Sequence, residues 1–265
     1  MLQDVKRSIF NWCFIGAVFV LFISFSGYAA CDWVTMYDWD VAYRASSLQQ
    51  ILGGIFFGGV ILMIPLGAAI PVGIKQVDEL QSGFIQYEIH RSSIKKYTAR
   101  QLTSSFFVAG STVGLAFLLH VVLWNVIATP CDPRLNDYLA IPFSEDCIYY
   151  SWQEILYSLP IYVWMIIALF FCGGMWGVVS ITAALLTQDK LLAVAIPFCV
   201  YYLWHCGLPG VLLGIREFPH PADLYNDALT ISMVWESVAV YLLILAICNM
   251  LFITKLKRSI ILNGK

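Results

Sequence analysis

Six stretches of this chain contain no Asp, Glu, Lys or Arg: 8–31, 45–74, 101–131, 155–188, 191–215 and 237–254. About 20 apolar residues carry a helix across roughly 30 Å of hydrocarbon, and five of the stretches exceed that length. The sixth reaches a full span if it starts near Leu229, with Glu236 in its outer part. Each run is continuous rather than alternating and far longer than the 9–11 residues of a barrel strand, so helices fit and strands do not.

The remaining residues cannot build a soluble surface. Charged residues make up 12% of the chain and hydrophobic ones 60%, about half the charge that a soluble domain carries. The same figures exclude a disordered chain, a nucleic-acid-binding domain and a disulfide-framed secreted scaffold. The expected fold class is therefore an all-α integral membrane protein: a single domain over 1–265 with six transmembrane helices, at about 8–31, 45–74, 101–131, 155–188, 191–215 and 229–254. The run over 8–31 also exceeds the roughly 7–15-residue core of a signal peptide, which makes it the first span.

Basic residues orient the bundle. With the N-terminus cytoplasmic, Lys6, Arg7, Lys75, Arg91, Lys95, Lys96, Arg100, Lys190, Lys255, Lys257, Arg258 and Lys265 lie inside, leaving Arg44, Arg134 and Arg216 outside. Both termini are expected in the cytoplasm of a multi-pass cell-membrane protein. Cys131 and Cys147 then bracket one outer loop, where a disulfide can persist and would contribute about 3 kcal/mol. Cys31 competes for either partner.

The longest inner link, 75–100, carries the most information. Between Val77 and Ile89, Leu80, Phe84, Ile85, Tyr87 and Ile89 recur at helical spacing among polar residues. Ser92-Ser93 breaks that pattern, and Ser93 is placed to cap a helix running from Ile94 into the third span. A short amphipathic helix in this position either lies on lipid or docks a cytoplasmic partner. Between the fourth and fifth spans the turn Thr187-Gln188-Asp189-Lys190 is tight. Gly54 and Gly58, Gly110 and Gly114, and Gly173 and Gly177 are small-xxx-small pairs that permit close helix approach.

Chemistry at membrane depth is sparse. His120, His205 and Glu236 are candidates for polar groups facing an outer cavity, whereas Glu154 belongs to the water interface. No nucleophile elbow, His-Glu-x-x-His helix, phosphate loop or metal-ligand spacing occurs, so no catalytic residue and no metal is assigned. Trp33, Trp39, Trp124, Trp152, Trp164, Trp204 and Trp235 crowd the outer side. An interfacial belt and an aromatic-lined cavity both account for that asymmetry.

Two stretches carry a resemblance. Glu79 to Leu102, ELQSGFIQYEIHRSSIKKYTARQL, and Gly174 to Phe198, GMWGVVSITAALLTQDKLLAVAIPF, resemble permeases of the type-2 ABC exporter class. The stretch from Glu79 is similar to that family's coupling helix and its basic re-entry. The stretch from Gly174 is similar to the family's small-residue span, polar turn and Pro-Phe. The chain departs from larger members in having no long segment ahead of the first span and no obvious extracellular motif between 214 and 227. The resemblance implies that Glu79, Gly83, Phe84, Tyr87, Glu88 and Arg91 engage a separate ATP-binding subunit, present in two copies and holding the ATP and Mg. It also implies a second permease, identical or sister, and an amphipathic peptide or lipid-like cargo as in small bacterial permeases. The alternative is a non-transport membrane scaffold or assembly factor that binds a cytoplasmic partner.

Non-reducing peptide mapping of oxidised protein is expected to recover Cys131 linked to Cys147. Two free thiols at these positions would dispose of the bridge.

Overall fold

A computed structural model of the chain describes residues 11–36, 51, 62–127, 159–205 and 231–263. Among these the regular elements are helices, seven of them: α1 (Trp12–Met36), α2 (Met63–Gln81), α3 (Phe84–Arg91), α4 (Ile94–Ile127), α5 (Leu159–Thr187), α6 (Lys190–His205) and α7 (Ile231–Asn263). Four stretches are long and apolar enough to cross a membrane: Trp12–Cys31, Ile94–Ile127, Tyr162–Thr187 and Val234–Arg258. The expected second and fifth spans lie only partly within the described residues, as α2 and α6. Cys131, Cys147, Glu154, Gly54 and Gly58 lie outside them.

Local chemistry sets the helix starts. Asn11 precedes α1 and accepts the Cys13 amide on its side-chain oxygen at 3.3 Å. Ser93 caps α4, its hydroxyl accepting the Lys96 amide at 3.3 Å, as its position in the sequence predicts. Asp189 does the same for α6, receiving the Leu192 amide at 2.9 Å.

One boundary differs from expectation. The periodic segment from Val77 to Ile89 is two helices rather than one, because α2 continues through Gln81 and the chain then breaks at Ser82-Gly83. Gly83 takes φ 71°, a left-handed conformation that costs a residue with a Cβ about 1–2 kcal/mol. Glu79 therefore belongs to the last turns of α2 and not to α3.

α5 occupies the middle of the bundle, packed against α2, α4, α6 and α7. Its tightest seam is with α4, and the two predicted glycine pairs form it. A Cβ on Gly110 would stand 2.6 Å from the Phe170 carbonyl oxygen, and one on Gly173 would stand 3.0 Å from that of Ala109. A Cβ on Gly177 would overlap Ala109 itself. Neither backbone atoms nor an alanine Cβ can rotate aside, so glycine is required at 110, 173 and 177, whereas a Cβ on Gly114 would meet its nearest atom at an ordinary 3.7 Å. Around it Phe117, Met165, Leu169, Met175, Trp176 and Ile181 are buried.

A second seam solves a problem created by proline. Pro197, inside α6, has no N–H to return to the carbonyl of Ala193, four residues earlier. The Ser180 hydroxyl of α5 donates to that carbonyl at 2.9 Å and lies 3.3 Å from the Ala69 carbonyl of α2. Gly73 of α2 makes room, since a Cβ there would collide with the Ser180 oxygen. One hydroxyl thus ties three helices at a point where lipid offers no substitute donor.

Ser180→Ala is expected to lower the stability of the detergent-solubilised protein by about 1 kcal/mol. In a Pro197→Ala background the backbone reclaims the Ala193 carbonyl, and most of that cost should vanish. An equal cost in both backgrounds, measured by equilibrium unfolding, would reject this account.

Candidate functional site

The richest polar chemistry gathers at one end of the bundle, where α2 ends, α3 crosses and α4 begins. At the end of α2, the Ser82 amide donates to the Asp78 carbonyl at 3.0 Å and its hydroxyl to the Glu79 carbonyl at 3.2 Å. The chain reverses at Gly83, runs through the two turns of α3, and leaves at Ser92 in an extended conformation. Ser92 closes that exit by donating its amide and its hydroxyl to the Glu88 carbonyl, at 3.0 and 2.9 Å. α3 is therefore a short helix held by a fixed joint at each end.

Two faces of α3 differ. Ile85 is buried and Ile89 half-buried against the core. Phe84 and Tyr87 point the other way, with 44% and 58% of their surface exposed. The guanidinium of Arg91 lies over the Tyr87 ring, 5.5 Å from its centroid, a cation–π arrangement that fixes the exposed rim.

Charge fastens α3 to its neighbours. Glu88 receives Arg100 of α4 at 2.5 Å, and the Arg100 guanidinium also stands 5.9 Å above the ring of buried Tyr97. Beneath, Gln101 of α4 donates to Gln76 of α2 at 2.5 Å and to Glu79 at 3.3 Å, while Lys75 pairs with Glu79 at 3.7 Å. The turn between α5 and α6 joins the same cluster. Lys190 meets Asp78 at 2.5 Å, and Gln81 donates to the Gln188 carbonyl at 3.4 Å. Gln188 itself holds φ 58°, the sharp reversal that keeps this turn tight.

Of the six residues assigned from the resemblance, the structure brings all to this end of the bundle but divides their roles. Phe84, Tyr87 and Arg91 form an exposed rim; Glu79 and Glu88 are engaged within the chain; Gly83 is the joint. Sequence reasoning missed the Asp78–Lys190 and Glu88–Arg100 pairs. Opposite charges on loops of the same side were the available signal, but many pairings satisfied it.

The three polar candidates at the other end do not converge. His120 is fully buried, with Nε2 donating to the Ile51 carbonyl at 3.4 Å and Nδ1 accepting from the Ser26 hydroxyl at 3.1 Å. Phe25, Phe117 and Trp124 surround the ring. That is a satisfied packing position joining α1 to α4. His205 is exposed at the end of α6 and stacks on Tyr201. Glu236 is exposed on α7. At 1.5 Å per residue it lies about 28 Å along the helix from Lys255, which places the two at opposite edges of a roughly 30 Å core. The described aromatics divide likewise, with Trp235 and Trp12 exposed and Trp124 and Trp176 buried.

Cys31 is a free, exposed thiol. No group of three or more His, Cys, Asp or Glu able to hold a metal occurs among the described residues. No protein-family model matches the chain, and comparisons with curated proteins and with solved structures find no match.

Glu88→Gln removes one partner of a half-exposed, charge-assisted pair worth about 1 kcal/mol, so amides of 84–91 should exchange about fivefold faster. Unchanged exchange in α3, followed by mass spectrometry, would show that Arg100 does not hold it.

Proposed function

We propose that this chain is a permease subunit of an ATP-driven ABC exporter, with α3 as its coupling helix. In this reading the bundle has six spans in the cell membrane with both termini cytoplasmic, and α3 lies on the cytoplasmic face. The observation that carries it is the outward pair Phe84 and Tyr87 on a two-turn helix fixed at both ends. An aromatic pair on a rigid, exposed, membrane-proximal helix suits insertion into a cleft of a partner subunit. Short reach and fixed joints make the helix a lever, not a tether.

The contacts give that lever a load path. Force on α3 passes to α4 through Glu88 and Arg100. It passes to α2 through the Ser82-Gly83 joint, and from Asp78 to Lys190 at the head of α6. Tilting α3 therefore moves three membrane helices together. ATP and Mg belong to the partner ATPase, present in two copies, and hydrolysis happens there; this chain supplies no phosphate loop. One such subunit forms half of a translocation unit, so it pairs with an identical or sister permease. An amphipathic peptide or lipid-like molecule is the cargo class that suits the apolar spans. A non-transport scaffold would use the same aromatic pair to hold a partner without coupling to ATP.

Phe84→Asp places a charge on the docking surface without disturbing the buried side of α3. Affinity-purified wild-type protein from its native host is expected to carry a stoichiometric P-loop ATPase, identified by mass spectrometry, and the variant to lose it while still inserting in the membrane. A wild-type chain that retains a different partner favours the scaffold. Retention of the ATPase by the variant removes α3 from the interface.

A further inference from the structure

A cleft of about 390 Å³ opens beside the first turns of α4, lined by Ser92, Lys96, Tyr97, Ala99, Arg100 and Thr103. Lys96, Ala99, Arg100 and Thr103 form one stripe of the helix, with spacings of three, four and seven and about 10 Å long at 1.5 Å per residue, and Ser92 stands just ahead of its first turn. Its mouth is cationic. Lys96 is exposed, and Arg100, one turn further along the same helix, is fixed by Glu88. Tyr97 forms the floor, buried beneath the Arg100 guanidinium. Ser92 and Thr103 lie at the two ends, the Ser92 hydroxyl already given to the Glu88 carbonyl.

What continues the stripe identifies the ligand. Four residues beyond Thr103 stands Phe107, and Leu115 and Leu118 follow on the same side; all three are exposed. A basic mouth thus leads into an apolar track that runs along a helix long enough to cross a membrane. Soluble anions gain nothing from that track. A zwitterionic headgroup, carrying no net charge, gains little from the two cations. An anionic phospholipid gains from both, because its phosphate meets Lys96 and Arg100 while its acyl chain follows Phe107, Leu115 and Leu118.

We infer that this cleft is a specific binding site for the phosphate headgroup of an anionic phospholipid. The inference is independent of the exporter reading, since it uses no feature of the outward face of α3. Arg100 gives the site a consequence. The same guanidinium secures Glu88 of α3, so a bound headgroup and the seating of α3 draw on one cation.

The test uses the full chain in maltoside detergent, titrated with dioctanoyl phosphatidylglycerol and followed by native mass spectrometry and thermal unfolding. Dioctanoyl phosphatidylcholine supplies the same tails without net charge, and inorganic phosphate supplies the anion without tails. Binding is expected for phosphatidylglycerol alone of the three. Lys96→Gln should weaken it about fivefold, Lys96→Arg should restore it, and Lys95→Gln, off the stripe, should leave it unchanged. Equal binding of phosphatidylcholine would reduce the site to a tail groove, and equal protection by phosphate would make it a soluble-anion site. Equal loss in the Lys95 and Lys96 variants would leave only diffuse surface charge. Any of these overturns the assignment.

Discussion

Close approach of α5 to α2 and α4 is the constraint from which the remaining geometry follows. In a bilayer, apolar side chains gain little by leaving lipid for one another, so association depends on surfaces that fit at backbone distance. Glycines at 110, 173 and 177 create that fit along α4 and α5, and Gly73 creates it against α2. Once the backbones are this near, a single hydroxyl at Ser180 reaches carbonyls on two other helices. The proline in α6 then becomes tolerable, because the acceptor it strands already has a donor. α1 and α7 line the outside of this centre, and most of their surface faces away from the protein.

The polar end depends on the same centre for its alignment. Gln76 and Gln101 meet because α2 and α4 are both held in register by α5; Asp78 meets Lys190 because α6 turns back tightly after α5. The pairs are individually modest, as partly exposed charges are. Together they convert three helix ends and a turn into one rigid plate, with α3 riding on it. The exposed aromatic faces of Phe84 and Tyr87 stand out on that plate, where Gln76, Asp78, Glu79 and Glu88 are all engaged by other helices or by their own.

Much of this was legible in the sequence. Uncharged runs located the four described stretches long enough to cross a membrane, Ser93 marked one helix start, and the spaced glycines at 110 and 114 and at 173 and 177 marked places of close helix approach. Legibility failed where two periodic segments abut. Val77–Ile89 reads as one amphipathic helix because periodicity registers the face of a helix but not a reversal that preserves phase, and a lone glycine did not outweigh it. It failed again for polar groups at depth. His120, His205 and Glu236 stood out by residue type alone, yet one is locked in packing and two are exposed. Whether a buried polar side chain serves packing or chemistry is decided by its partners, and Ser26 and the Ile51 carbonyl are distant in sequence from His120.

The position of α5 also bears on how the chain is assembled. α1, α2 and α4 leave the ribosome before it, and each must persist while its final neighbour does not yet exist. During that interval the glycine grooves of α2 and α4 are unfilled, and the polar residues Thr112 and Ser105 of α4 lack the walls that later enclose them. Arrival of α5 closes these surfaces at once, and the α6 hairpin that follows brings a stranded carbonyl directly to the waiting Ser180 hydroxyl. Biogenesis of this bundle is thus a late-closing process, in which the fate of the early helices is settled by a segment synthesised well after them.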